Sequence, residues 1–239
     1  MVKSTSENAP QNNYGKNPAR LKKRSGKPRL KTATAGRRAQ PKREPRPTKA
    51  FQPGAVFLVG FMGAGKTSVG RALGQRLNWI FEDLDDRIAA REGRTVAEIF
   101  RDSGESGFRR AEHDALKHLL AELRGGSTRI VALGGGAFVQ PENASLLKSA
   151  NVPTVFLDAP VSELWQRCCA QASQVGTERP LLRSEKQFRK LHESRRPAYA
   201  KAALRVQAGN RSVEAIAAEI AEMLGLKKIE IRNQQGEME

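Results

Sequence analysis

Residues Gly60-Phe61-Met62-Gly63-Ala64-Gly65-Lys66-Thr67 fit the pattern G-x-x-x-x-G-K-[ST], and their setting restricts the fold more than any other stretch of the chain. Ahead of them, Ala55-Val56-Phe57-Leu58-Val59 is an unbroken apolar run that ends in glycine, as a strand buried on both faces does. Behind them, Val69, Leu73 and Leu77 recur at helical spacing. Strand, glycine-rich loop and helix in that order form a phosphate cradle, which a chance glycine turn would not. The glycines let backbone N–H groups wrap the anion, and the helix N-terminus adds positive potential. Gly63, Ala64, Gly65, Lys66, Thr67 and Ser68 are therefore the expected ATP-binding residues. Lys66 would reach the β- and γ-phosphates, and Thr67 would offer its hydroxyl to Mg2+. The loop specifies a nucleotide and leaves the acceptor open.

The rest of the chain alternates short apolar runs with helical patterns. Trp79-Ile80-Phe81 reads as a second strand running into acidic residues, and Arg129 to Leu133, Thr154 to Leu157 and Leu204 to Ala208 as three more. Phe108 to Leu123 and Val213 to Leu224 carry helical periodicity. Five strands with interleaved helices predict a three-layer α/β/α sandwich around a parallel sheet.

The formal net charge of +17 suggests a nucleic-acid partner until it is mapped along the chain. Residues 1–50 hold 15 Lys and Arg against Glu7 and Glu44, which leaves 27 basic and 23 acidic residues for 51–239. That first stretch is almost devoid of large apolar side chains, so burial could not offset the entropy of ordering it. The organisation expected is a disordered basic arm over 1–50, one P-loop domain over 51–226 and a polar tail over 227–239. Adjacent Cys168 and Cys169 on a helix cannot build a structural disulfide or metal site by themselves, which favours a reducing, cytoplasmic setting. No run approaches the roughly 20 apolar residues of a membrane span, so no membrane partner is expected. A basic arm poor in acids also suits an organelle transit peptide, but Pro28, Pro41, Pro45 and Pro47 interrupt a long amphipathic helix.

Three further clusters bear on the acceptor. Asp83 and Asp85 close the second strand; two apart on extended chain, they would share a face in the crevice beyond the strand ends, or else they serve as an acidic helix N-terminus. Arg109 and Glu112, three apart on a helix, can pair and so aim a guanidinium at a carboxylate, although such pairs also occur as solvated surface contacts. Gly134-Gly135-Gly136 follows the third strand and bares backbone at the carboxyl edge of the sheet, where a small ligand could approach it.

Taken with Ile99-Phe100 through Gly104-Glu105, Glu178-Arg179-Pro180-Leu181-Leu182 and Arg195-Arg196-Pro197-Ala198-Tyr199, this ordered set resembles the shikimate kinase family over about Val56 to Leu224. The resemblance implies a five-stranded parallel sheet of order 2-3-1-4-5 in a P-loop kinase fold. It implies transfer of the γ-phosphate of ATP to the 3-hydroxyl of shikimate, with Mg2+. Matched position by position, Asp83 and Thr67 would lie at the metal, Asp85 at the shikimate hydroxyls, and Arg109 and Arg195 at its carboxylate. Gly134, Gly135 and Gly136 would line the substrate turn. Arg167 would lie against the adenine and Arg179 in a lid over ATP, with Lys66, Asp85 and Arg179 catalytic. Two departures stand out: Cys168 to Thr177 is longer than usual for the family, and Arg196 occupies a position that is often acidic or small. A gluconate-type kinase and a silent sensor on the same fold are the alternatives. A monomer is expected, with only non-specific nucleic-acid contact through the arm. Deleting residues 1–49 should therefore leave the thermal midpoint and turnover nearly unchanged and abolish salt-sensitive binding to polyanions; melting curves and binding at two salt concentrations check this.

Overall fold

A computed structural model describes residues 54–175 and 184–227. The chain divides into Met1–Thr48 and Lys49–Glu239, and the described residues all belong to the second unit. The expected arm, the polar tail beyond 227, and Arg179 with its neighbours Glu178 to Leu182 lie outside them.

Among the described residues five strands form one sheet, in the order β2-β3-β1-β4-β5. They are β1 (Ala55–Val59), β2 (Ile80–Asp83), β3 (Arg129–Ala132), β4 (Thr154–Asp158) and β5 (Leu204–Gln207). Every pairing is parallel. β1 lies centrally, with Phe57 in register with Val131 of β3 and Thr154 of β4, and none of its residues is more than 1% exposed. Two-sided burial is what its continuous apolar run required. β2 begins one residue later than the sequence suggested: Trp79 precedes it, buried, and Ile80 stands exposed at the sheet edge.

The helices flank the sheet: α1 (Lys66–Leu77), α2 (Leu84–Glu92), α3 (Val96–Leu123), α4 (Pro141–Ser149), α5 (Val161–Val175), α6 (Glu185–Tyr199) and α7 (Val213–Met223). α1 packs against α7, and α2 against α3. The helical pattern over Phe108 to Leu123 is the second part of a longer α3, which opens on a Thr95/Glu98 capping box and is interrupted at Gly104 (φ +66°, ψ −177°). Glycine adopts that left-handed φ without steric cost. The longer stretch from Cys168 begins within α5, which continues to Val175. No described helix is long and apolar enough to cross a membrane.

α1 sits close to the sheet because Gly70 and Gly74 lack side chains. A Cβ on Gly70 would run into the Phe81 ring and approach Leu58 Cδ1 to 3.3 Å. Gly70→Ala should lower stability by about 1–3 kcal/mol despite the better helix propensity of alanine, because overpacking outweighs it. Urea unfolding midpoints measure the difference.

Candidate active site

The loop between β1 and α1 turns on three glycines with positive φ: Gly60 (+149°), Gly63 (+78°) and Gly65 (+87°). At Gly63 a Cβ would stand 2.9 Å from Sγ of buried Cys168 on α5, so close packing as well as φ demands glycine. Gly65 caps α1 with no side-chain hydrogen bond, and the first turn of α1 carries no acid. Its N–H groups thus face no competing anion of their own helix. Lys66 folds back over the loop, its Nζ donating to the carbonyls of Gly60 (3.0 Å) and Phe61 (3.1 Å). Burial pushes the Lys66 ammonium below the usual lysine range, while the Asp85 and Asp83 carboxylates oppose that shift.

Asp83 ends β2, where it is in register with Ala132 of β3. One carboxylate oxygen accepts from Oγ1 of Thr67 at 3.1 Å and the other from the backbone N–H of Asp85 at 3.1 Å, which caps α2. Asp85 is therefore not on extended chain as the sequence reading had it, but in the first turn of α2. Both readings of the acidic run hold in part, since strand end and helix cap coincide here. Burial and neighbouring Asp83 raise the Asp85 carboxyl above the ordinary range, against the pull of Lys66. Its Oδ1 is buried with no hydrogen-bond partner. Thr67 and Asp83 together offer a hydroxyl and a carboxylate oxygen. That is the donor set Mg2+ takes when phosphates and water complete its octahedron, and no described cluster of three or more His, Cys, Asp or Glu could hold a metal by itself.

The glycine turn after β3 serves close approach rather than unusual backbone angles. A Cβ on Gly134 would stand 2.5 Å from Asp85 Oδ1, and one on Gly136 2.5 Å from Nη2 of Arg109. The Gly135 carbonyl accepts from Nη1 of Arg195 at 3.3 Å and from the hydroxyl of Tyr199. Burial pushes that phenol up to about 12, so it remains a donor. Arg109 pairs with Glu112 at 2.9 Å and with Glu105 at 3.2 Å. Glu112 is fully buried; burial raises its carboxyl and Arg109 opposes the rise. The pair is thus an interior strut and not the solvated contact that was its alternative. Arg167 on α5 links the nucleotide loop to the segment after β5, donating to the Gly63 carbonyl (3.5 Å), to Glu163 (2.9 Å) and to the Ala208 carbonyl (3.1 Å).

The structure gathers Lys66, Thr67, Asp83, Asp85, Arg109, Gly134 to Gly136 and Arg195 at the carboxyl edge of the sheet, with Arg167 on α5 touching the loop at the Gly63 carbonyl. Sequence reasoning gave no role to Tyr199, although its proline-flanked segment was noted, and none to Asp158, which carries no local signal. Arg196, unexplained from the sequence, pairs with Asp158 at 2.8 Å.

A parallel 2-3-1-4-5 sheet with this loop, a metal-competent Thr/Asp pair and a glycine turn met by two arginines defines a small P-loop kinase. The shikimate kinase family model matches residues 62–225. The chain belongs to that family. It is 40% identical over 175 residues to the shikimate kinase of Cereibacter sphaeroides, covering 72% of this chain and 83% of that one. To the shikimate kinase of Symbiobacterium thermophilum it is 40% identical over 173 residues, covering 71% and 95%. Among solved structures, the shikimate kinase of Acinetobacter baumannii in complex with shikimate superposes with a TM-score of 0.64 at 33% identity, over 73% of this chain and 94% of that one.

Truncating Glu112 would leave the Arg109 guanidinium with exposed Glu105 as its remaining carboxylate. Glu112→Ala should cost about 1–3 kcal/mol, read by chemical unfolding.

Proposed function

We infer that the chain is a shikimate kinase that transfers the γ-phosphate of ATP, with Mg2+, to the 3-hydroxyl of shikimate. The observation that carries this is Asp85 Oδ1, a buried carboxylate oxygen without a partner, set against Gly134 and beside Lys66. Such an atom calls for a donor, and a substrate hydroxyl is one. Asp85 then orients that hydroxyl towards the phosphate and can take its proton, which leaves late in a loose transition state. Arg109 and Arg195, on either side of the glycine turn, supply the forked donors that a carboxylate accepts. The amides of the loop and Lys66 carry the transferring charge. Thr67 and Asp83 would hold Mg2+, whose contribution when bound is to neutralise charge on the phosphates. Arg167 against the base and Arg179 as the lid arginine are both proposed on the resemblance alone. The reading includes a monomer in the cytoplasm, with an arm that touches nucleic acid only through its charge.

The deciding experiment is ADP release from purified protein with ATP and a panel of shikimate, gluconate and quinate. Turnover of shikimate alone is expected; a preference for gluconate would overturn the acceptor assignment, and no turnover at all would favour the silent sensor. Lys66→Ala should lower kcat by about a hundredfold or more with the fold intact. Arg109→Ala and Arg195→Ala should each weaken shikimate binding by about 1.5–3 kcal/mol and leave ATP binding nearly unchanged, as separate titrations with each ligand will report.

Arg179→Ala should reduce kcat by orders of magnitude while shifting binary shikimate affinity by less than about 1 kcal/mol. Lysine there should restore only part of the rate, because a point charge does not span two phosphate oxygens. Loss of shikimate affinity with kcat preserved would remove Arg179 from the nucleotide side.

A further inference from the structure

The last turn of α6 is tied to two walls. On one face Arg195 and Tyr199, four apart, reach the Gly135 carbonyl of the substrate turn. On the adjoining face His192 and Arg196, also four apart, point elsewhere: the His192 ring packs edge-on against Phe61 of the nucleotide loop at 5.3 Å, and Arg196 Nη2 meets Asp158 Oδ2 at 2.8 Å. Asp158 is the final residue of β4, with a side chain only 6% exposed. Pro197 lies inside the helix and has no N–H for the carbonyl four residues back. The backbone therefore holds this turn less firmly than an ordinary helix end.

We propose that Arg196 is a positioning residue for shikimate binding: its ion pair with Asp158 fixes the rotation of the last turn of α6, from which neighbouring Arg195 reaches the substrate carboxylate. This rests on the reading of Arg195 given above. Adjacent residues on a helix diverge by about 100°, so anchoring Arg196 to β4 determines where Arg195 points. A second cation separates this role from simple charge balance. Arg205 of β5 pairs with the same Asp158 oxygen, so losing Arg196 leaves the carboxylate neutralised and avoids the penalty of a stranded buried charge. Arg205 belongs to the sheet and cannot orient α6. The Arg196 side chain is 44% exposed, so the pair adds little to global stability, and its effect falls on the geometry of Arg195.

The test is steady-state kinetics on the full chain, each substrate varied at saturating concentration of the other, with thermal midpoints, for Arg195→Ala, Arg196→Ala, Arg196→Lys and Arg205→Ala. Arg196→Ala should raise the KM for shikimate about fivefold or more with kcat within about twofold, and leave the KM for ATP and the midpoint near wild type. Arg196→Lys should recover part of the loss, and Arg205→Ala should behave as wild type. If Arg195→Ala raises the shikimate KM and Arg196→Ala does not, the positioning role is wrong and the substrate reading stands. An equal rise in both KM values, or an equal effect from Arg205→Ala, would also overturn it, as general loosening. If Arg195→Ala leaves the shikimate KM unchanged, the reading of Arg195 fails and this proposal with it.

Discussion

All five strands run parallel, so the loops that follow β1, β2, β3 and β4 leave the sheet from one edge, and everything chemical in the molecule depends on that alignment. The central strand decides which loops can meet. β1 is hydrogen-bonded to β3 on one side and β4 on the other, so its phosphate loop lies between the glycine turn after β3 and the arginine-linked end of β4. β2, paired to β3, brings Asp83 alongside. One carboxylate then joins three elements, since Asp83 ends a strand, caps α2 and accepts from the first turn of α1. Crevices outside the carboxyl ends of such sheets, where strand order reverses, are where open α/β folds bind ligands.

Charge at this edge is arranged in opposition. Lys66 is pushed down by burial while the carboxylates pull it up, Asp85 is pushed up by burial and by Asp83, and Glu112 is raised by burial while Arg109 lowers it. Groups shifted from their solvent behaviour cluster where chemistry is done. In the Arg109–Glu112 strut the buried acid holds the guanidinium still, while exposed Glu105 pairs with its Nη2. Preorganised charge of this kind is what phosphoryl transfer asks of a protein, because little covalent work falls to its side chains.

The glycines after β3 serve a purpose beyond the one their sequence suggests. The run Gly134 to Gly136 suggests bare backbone offered to a ligand. In the structure it makes room for two other side chains, the Asp85 carboxylate and the Arg109 guanidinium, each of which would collide with a methyl group. The missing side chains at Gly134 and Gly136 are what let a carboxylate on α2 and an arginine on α3 face the same small space.

Short-range pattern carried much of this protein. An apolar run ending in glycine, a helical repeat behind it and the lysine-threonine pair determined β1, the loop and α1, because those features are local consequences of burial, φ preference and phosphate geometry. The order of motifs along the chain was enough to place Asp83, Asp85, Arg109 and Arg195 in one family pattern. What the sequence left open were the relations between residues distant along it. Whether Asp85 lies on strand or helix was settled by where β2 stops beside β3, and whether Arg109 and Glu112 form a surface pair or a buried strut by the packing of α3. The partner of Arg196, 38 residues away in Asp158, leaves no trace in spacing or composition. Periodicity reports which face of an element is buried; only the tertiary structure decides what it is buried against, because that depends on contacts between elements that no local stretch of sequence contains.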